Sequence, residues 1–166
     1  EKALYLEREK SITFTGHRII PLVRQEEVRA RLTTTVAFAY KSGMTRFYCG
    51  MALGFDMMAA EVVLSLKDKF PNIRLIAVVP FLGQSNRWAS SEQERYRQIL
   101  AEVDKIVLLS ENYFCGCLLR RNDYMLSHSC GVIAYYNGKP QGGTFYTVRK
   151  AERMKMDVVN IYGKRG

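Results

Sequence analysis

Residues 46–65 read RFYCGMALGFDMMAAEVVLS, a short apolar segment that passes through a glycine turn into an apolar helix pattern. The segment Arg46 to Cys49 predicts a buried strand, and Gly50 and Gly54 predict the turn. The following residues predict a helix over 55–69, because apolar side chains recur there on one stripe. Pro71 prevents the helix from continuing. A strand, a turn and a helix in this order are typical of a crossover unit in an α/β protein.

The same alternation runs through the rest of the chain. The predicted strands are Ser11 to Thr15, Arg46 to Cys49, Arg74 to Val79, Lys105 to Ser110, Gly131 to Tyr136 and Val158 to Tyr162. Further helices are predicted over 25–42, from an N-cap at Ser90-Ser91 through 103, over 118–127 and over 144–155. We therefore expect an α/β fold with a mostly parallel sheet of about six strands and helices on both faces. Residues 1–10 are interpreted as an N-terminal extension and 11–162 as a single domain.

Composition excludes several classes of protein. The 166 residues are 48% hydrophobic and 25% charged, close to globular averages, so the chain is neither disordered nor collagen-like. Apolar stretches are too short to cross a bilayer, and residues 1–10 lack the layout of a secretory signal. We therefore expect a cytoplasmic protein with no membrane partner. The net charge of +9 favours polyanions or phosphorylated ligands as partners.

The four cysteines are Cys49, Cys115, Cys117 and Cys130. A chain with this much apolar content does not need disulfides, so free thiols are expected. Zinc is the alternative, with Cys115, Cys117, His128 and Cys130 as its ligands. The Cys-x-Cys and His-x-Cys spacings differ from the usual zinc knuckles, so we expect no metal. No cofactor is predicted either.

Glycine turns follow three of the predicted strands. The first strand ends in Thr15-Gly16-His17-Arg18, where Gly16 lets backbone amides approach a phosphate and Arg18 offers guanidinium donors. His17 is a candidate general acid or base. The alternative is that Gly16 only turns the chain and that His17 is an ordinary polar side chain.

The second turn contains Gly50 and Gly54, followed by Asp56 at the start of the helix. Its amides are candidates for anion binding, and Asp56 is interpreted either as a helix cap or as a contact to a ribose hydroxyl. The third turn, Gly142-Gly143-Thr144, opens the last helix and predicts a compact phosphate cradle. Because the carboxyl ends of parallel strands share one edge of the sheet, the three turns together predict a nucleotide-like ligand.

Two further groups are candidates for this edge. Arg121 and Asn122 lie near the start of a predicted helix, where a cation is unfavourable unless an anion is close by. Aromatic side chains are available for stacking on a base, although each is equally suited to packing: Trp88, Tyr113 and Phe114.

In order and spacing, these motifs resemble the YpsA-like branch of the SLOG superfamily, whose relatives include LOG phosphoribohydrolases, molybdenum-cofactor carrier proteins and DprA. The resemblance runs from about Ile12 to Ile161. It is carried by Thr15-Gly16-His17-Arg18, the turn from Gly50 to Asp56, Pro80-Phe81 with Gln84 and Trp88, Tyr96, Arg121-Asn122 and Gly142-Gly143-Thr144. It implies a Rossmann-like, three-layer α/β/α fold that binds nucleotides or their derivatives in the cleft formed by these loops.

The resemblance leaves the activity open. LOG enzymes carry a catalytic glutamate three positions after the threonine of a PGGxGT motif, and Thr147 occupies that position here. The catalytic candidates that remain are Asp56, Glu61 and Arg121. A nucleotide-binding or sensing domain is therefore the first hypothesis. The alternatives are a nucleoside-monophosphate N-glycosidase and single-stranded DNA binding of the DprA type. Homo-oligomerisation is left open.

Overall fold

A computed structural model of the protein describes residues 2–163. Strands and helices alternate along nearly the whole chain, as the sequence predicts. The elements are α1 (Lys2–Arg8), β1 (Ser11–Gly16), a 3-10 turn (Leu22–Arg24), α2 (Gln25–Lys41), β2 (Arg46–Cys49), α3 (Phe55–Ser65), β3 (Arg74–Val79), α4 (Ser90–Glu102), β4 (Lys105–Leu108), α5 (Cys117–Ser127), β5 (Gly131–Tyr135), α6 (Gly143–Arg153) and β6 (Asp157–Asn160).

All six strands are parallel and form one sheet in the order β4-β3-β2-β1-β5-β6. The chain builds outward from β1 through β2, β3 and β4, and then returns to the other side of β1 with β5. Strand order therefore reverses between β1 and β5, where loops on opposite sides separate and open a crevice. The predicted Rossmann-like α/β fold is confirmed.

Helices cover both faces of the sheet. On one face α2, α3 and α4 pack over the sheet in the largest apolar cluster, where the Phe14 ring lies 5.8 Å from that of Phe47 and 6.2 Å from that of Phe55. On the other face Leu126 of α5 and Val148 of α6 pack against β5. Burial on both sides explains why the central strands are almost continuously apolar.

Some predicted boundaries are wrong. The third helix ends at Ser65 rather than Lys69, and the last strand begins at Asp157 rather than Val158. The N-cap of α4 is Ala89, whose backbone is extended, and neither Ser90 nor Ser91 caps the helix with its side chain. Within the predicted N-terminal extension, residues 2–8 form α1, while Glu1 lies outside the described residues. Across 2–163, none of the helices combines the length and the hydropathy that a membrane span requires.

Candidate functional site

A cavity of about 540 Å³ lies at the carboxyl ends of β1 and β5, where the strand order reverses. Its walls are the four loops that follow β1, β2, β4 and β5, together with the starts of α3, α5 and α6. The predicted site residues among its lining are Gly16, His17, Arg18, Asp56, Arg121, Asn122, Gly142, Gly143 and Thr144. The fold thus brings together nine of the residues that the sequence singles out, from positions more than 120 residues apart.

The start of α6 forms part of the wall of this cavity. Gly142 has a φ of 93°, a conformation that strongly favours glycine, and no side chain caps the helix. A Cβ atom at Gly142 would meet nothing within 4 Å, and one at Gly143 would lie 3.8 Å from Asn122 Nδ2. Within residues 2–163, no acceptor is hydrogen-bonded to the amides of Gly143 and Thr144. These N–H groups and the helix dipole favour an anion at this position.

Arg121 of α5 is the buried cation of the cavity, with only 4% of its surface exposed. Its Nη1 donates to the Gly50 carbonyl at 2.5 Å and to Gln84 Oε1 at 3.4 Å, and its Nε donates to Asn122 Oδ1 at 2.8 Å. Burial lowers the pKa of this guanidinium, and no carboxylate within residues 2–163 forms an ion pair with it. The charge of Asp56 opposes this shift. The hydrogen-bond partners of Arg121 are neutral, so an anionic ligand beside it would be stabilised further.

Asp56 is the carboxylate among the residues that line the cavity. Its Oδ2 accepts a hydrogen bond from the Ala52 N–H at 3.1 Å, so it braces the turn that precedes its own helix. Burial raises the pKa of Asp56 to about 6, while the charges of Arg121 and Arg18 and the Ala52 N–H oppose a larger rise. The carboxylate is therefore mostly ionised at neutral pH and protonated in mild acid.

His17 and Arg18 lie in the loop after β1. The Asn137 N–H donates to His17 Nε2 at 2.9 Å, which leaves the ring proton of the neutral imidazole on Nδ1. Burial lowers the pKa of His17, so the ring is neutral at physiological pH. The Arg18 side chain is exposed and forms no ion pair within the described part of the chain.

The other predicted glycines are packed against the protein itself. A Cβ atom at Gly16 would come within 2.4 Å of the Phe55 ring, and one at Gly50 within 2.6 Å of Arg121 Nη1. At Gly54, where φ is 79°, a Cβ atom would come within 2.1 Å of the Arg18 carbonyl oxygen. Neither Gly50 nor Gly54 lines the cavity. Their assignment to ligand binding stays a prediction, and the structure gives each of them a packing role.

The structure does not bring Glu61 to the cavity. Its carboxylate accepts two hydrogen bonds from Arg95, at 2.6 and 2.9 Å. It accepts a third from Arg29, at 3.3 Å. Burial by itself would raise the pKa of Glu61, and the two arginines together lower it below its ordinary value. Thr147 is fully buried and donates to the Gly143 carbonyl at 3.0 Å, so this hydroxyl is used inside α6.

The role of Gln84 is not evident from the sequence. Its Nε2 donates to the Gly50 carbonyl and to the Tyr96 hydroxyl, and its Oε1 accepts from Arg121. These contacts join elements 12 to 37 residues apart, which no local pattern reveals. Cys115 and Cys117 also line the cavity, and all four cysteines are free thiols in the structure. Among residues 2–163, no three His, Cys, Asp or Glu side chains are grouped so that they could hold a metal ion.

The family model described as the YspA SLOG family matches residues 13–162. A UPF0398 protein of Shouchella clausii is 34% identical over 103 residues, which cover 60% of this chain and 55% of that protein. The chain thus spans about half the length of this relative. The SPbeta prophage-derived protein YoqJ of Bacillus subtilis is 31% identical over 114 residues, 61% of this chain and 67% of that protein. A UPF0398 protein of Bacillus pumilus is 25% identical over 152 residues, 86% and 82% of the two chains.

Among solved structures, DNA processing protein A from Helicobacter pylori has a similar fold. The superposition has a TM-score of 0.63 and 19% sequence identity, and it covers 95% of this chain and 67% of that one. The published description of that structure concerns its binding of single-stranded DNA. At this level of identity the similarity shows a shared architecture.

Proposed function

The chain belongs to the YspA SLOG family, and we propose that it binds a nucleotide or a nucleotide derivative in the cavity between β1 and β5 as a binding or sensing domain. The phosphate would accept hydrogen bonds from the amides of Gly143 and Thr144. Arg121 would supply the opposite charge, and Asn122 and Arg18 would contact the rest of the ligand. His17 and Asp56 line the same cavity and are available to a ribose or a base.

The surroundings of Arg121 are the main support for this proposal. Arg121 is a buried guanidinium that forms no direct ion pair among the described residues, although the charge of Asp56 offsets part of its burial, and it lines the same cavity as the uncapped start of α6. Two independent elements therefore direct positive charge and free N–H donors into one space. Hydrogen bonds of this charge-assisted kind contribute about 1.5 to 3 kcal/mol each.

Glycosidase activity has less support. A glycosidase of this type needs carboxylates near the sugar, and the single carboxylate in the cavity lining is Asp56. Glu61 is held by two arginines elsewhere, and Thr147 has no charge to offer. Release of free base that is abolished in an Asp56→Asn variant would reinstate the glycosidase hypothesis.

Single-stranded DNA binding is favoured by the fold shared with DNA processing protein A and by the net charge of +9. Salt dependence separates it from small-molecule binding. A protein that contacts several successive phosphates loses affinity steeply as salt rises, whereas one phosphate in an enclosed cavity gives a shallow dependence.

The proposed function is tested by calorimetric titration of nucleoside monophosphates and of the matching nucleosides. Arg121→Gln keeps a donor for the Gly50 carbonyl and removes the charge. We expect this variant to lower the affinity for monophosphates by on the order of ten- to a hundredfold and the affinity for nucleosides far less. Arg97→Gln is the matched control, because Arg97 is exposed on α4 and paired with Glu94 outside the cavity. Equal losses for both ligand types would contradict a phosphate contact at Arg121.

A further inference from the structure

A second cavity of about 1030 Å³ adjoins the first. Its walls are the loop over 80–89, which follows β3, and the loop over 111–113, which follows β4. The two cavities share Arg18, Tyr113 and Leu118, so they are neighbouring compartments along the carboxyl edge of the sheet. Cavities of about 300 to 1,000 Å³ hold a single small ligand, so each compartment is large enough for one nucleoside unit.

Aromatic rings in the larger cavity suit a flat ligand. Phe81 and Tyr113 meet edge to face, with ring centroids 5.3 Å apart, and Tyr113 is 65% exposed. Trp88 is held in place by Tyr96, with centroids 5.2 Å apart at nearly a right angle. An exposed ring that is fixed by a second ring is a preorganised platform on which a base can stack.

Two arginine side chains in the larger cavity favour an anionic ligand. Arg18 and Arg87 both line it, and neither forms an ion pair with a carboxylate in the described part of the chain. Glu111 is the carboxylate in this lining. Because Arg18 borders both compartments, it is placed to contact a phosphate that passes from one to the other.

Gln84 forms a hydrogen bond between the walls of the two compartments. It lines the larger cavity, is 9% exposed, and its Oε1 accepts a hydrogen bond from Arg121 of the smaller one. The position of the loop over 80–89 is thereby tied to the position of the buried guanidinium. The two compartments therefore share a hydrogen bond between residues of their walls.

We propose that the larger cavity is the second half-site for a single bipartite ligand, a dinucleotide whose two nucleosides are joined through a pyrophosphate. This inference rests on the proposed function, since one half of the ligand occupies the smaller cavity. The start of α6 and Arg121 keep the phosphate of the first nucleotide. The second base stacks in the larger cavity beside Phe81 and Tyr113, and Arg18 and Arg87 contact the second phosphate.

The test compares three ligand sets by calorimetry at constant salt: the monophosphates, the diphosphates and the symmetrical pyrophosphate-linked dinucleotides of adenosine, guanosine, cytidine and uridine. The diphosphates contain the pyrophosphate group without the second nucleoside, so they control for the phosphates alone. We expect at least one dinucleotide to bind about tenfold or more tightly than its monophosphate and its diphosphate, the gain expected of one additional stacked base.

Variants of the larger cavity sharpen the comparison. Arg87→Gln and Phe81→Leu change residues that line only the larger cavity, and Arg97→Gln is the exposed control on α4. Arg87→Gln and Phe81→Leu should each remove most of the preference for the dinucleotide and change monophosphate affinity by no more than about twofold. Arg97→Gln should change neither the preference nor the monophosphate affinity. Arg121→Gln should weaken both ligand types.

The possible failures are distinguishable. Monophosphate binding that depends on Arg121, together with no dinucleotide preference, would overturn this inference and leave the proposed function intact. Absence of binding by every mononucleotide and dinucleotide would overturn both. A single-stranded oligonucleotide that binds more tightly than any dinucleotide, with steep salt dependence, would assign the larger cavity to nucleic acid instead.

Discussion

The glycine turn after β2 and the glycine turn after β5 are alike in sequence, yet they have different neighbours in the fold. At Gly50 and Gly54 the space that a side chain would need is filled by the Arg121 guanidinium and the Arg18 backbone. At Gly142 that space is empty, and at Gly143 it is bordered only by Asn122 at 3.8 Å. Glycine thus serves close internal packing in one turn and leaves room for a ligand in the other.

This contrast predicts different consequences for substitution. In the turn after β2, a new side chain should damage the fold. At Gly143 in the turn after β5, a new side chain should leave the fold intact and block an anion.

The largest effect is expected at Gly54. Gly54→Ala should lower the free energy of unfolding by about 4 kcal/mol, because the residue has a positive φ and its Cβ atom would overlap the Arg18 carbonyl oxygen at 2.1 Å. Urea denaturation measures this loss. Gly43→Ala is the control: its φ is 106° and its Cβ atom would meet nothing within 4 Å, so only about 1 to 2 kcal/mol should be lost. Equal losses would show that backbone conformation, and not the close approach, constrains Gly54.

The next effect concerns Asp56, whose carboxyl has a pKa of about 6 in the folded protein against 3.8 as its ordinary value. Because the folded pKa is raised, the stabilisation from the protonated carboxyl is complete below about pH 4 and is lost as pH rises through about 6. The total change is about 3 kcal/mol.

Asp56→Asn removes this titration and retains an acceptor for the Ala52 N–H. Relative to the unmodified protein, the variant should therefore gain about 3 kcal/mol in free energy of unfolding between pH 4 and pH 7. Urea denaturation of both proteins across this range measures the difference. If the free energies of unfolding of the two proteins change with pH in parallel, Asp56 titrates in the folded protein as it does in the unfolded chain.

The smallest effect is expected at Glu61, which lies on α3 outside the cavity. Glu61→Gln should cost about 1 kcal/mol or less of stability, because half-exposed ion pairs with Arg29 and Arg95 contribute little. Nucleotide affinity, measured by the same titrations, should be unchanged. A loss of affinity in a stable variant would place Glu61 in the binding machinery after all.

Local patterns were enough to predict the fold. The strands over 46–49 and 74–79 have the bounds that the sequence indicates, because apolar runs bounded by glycine, proline or charged residues are local signals. The helix of residues 55–65 begins where the glycine turn ends. It ends at Ser65 and not at Lys69, because the backbone hydrogen bonds that follow, from Leu66 to Val63 and from Lys67 to Leu64, span three residues instead of four.

The site was only partly predictable. Sequence placed Gly143 and Arg121 near the carboxyl edge of the sheet, but it could not show that Arg121 fills the space beside Gly50, 71 residues away. Glu61 was misplaced for a geometric reason. It lies five residues after Asp56 in α3, which is about 140° around the helix, so the two carboxylates face different surroundings.

The most direct test of the account is the affinity of a folded Gly143→Val variant for the nucleoside monophosphate that the unmodified protein binds most tightly. We expect an unfolding free energy within about 1 kcal/mol of that of the unmodified protein, because the new Cβ atom would meet only Asn122 at an ordinary contact distance. We also expect binding to fall below detection, because the valine side chain occupies the space that the phosphate needs. Unchanged affinity in the folded variant would contradict the assignment of the α6 start as the phosphate site.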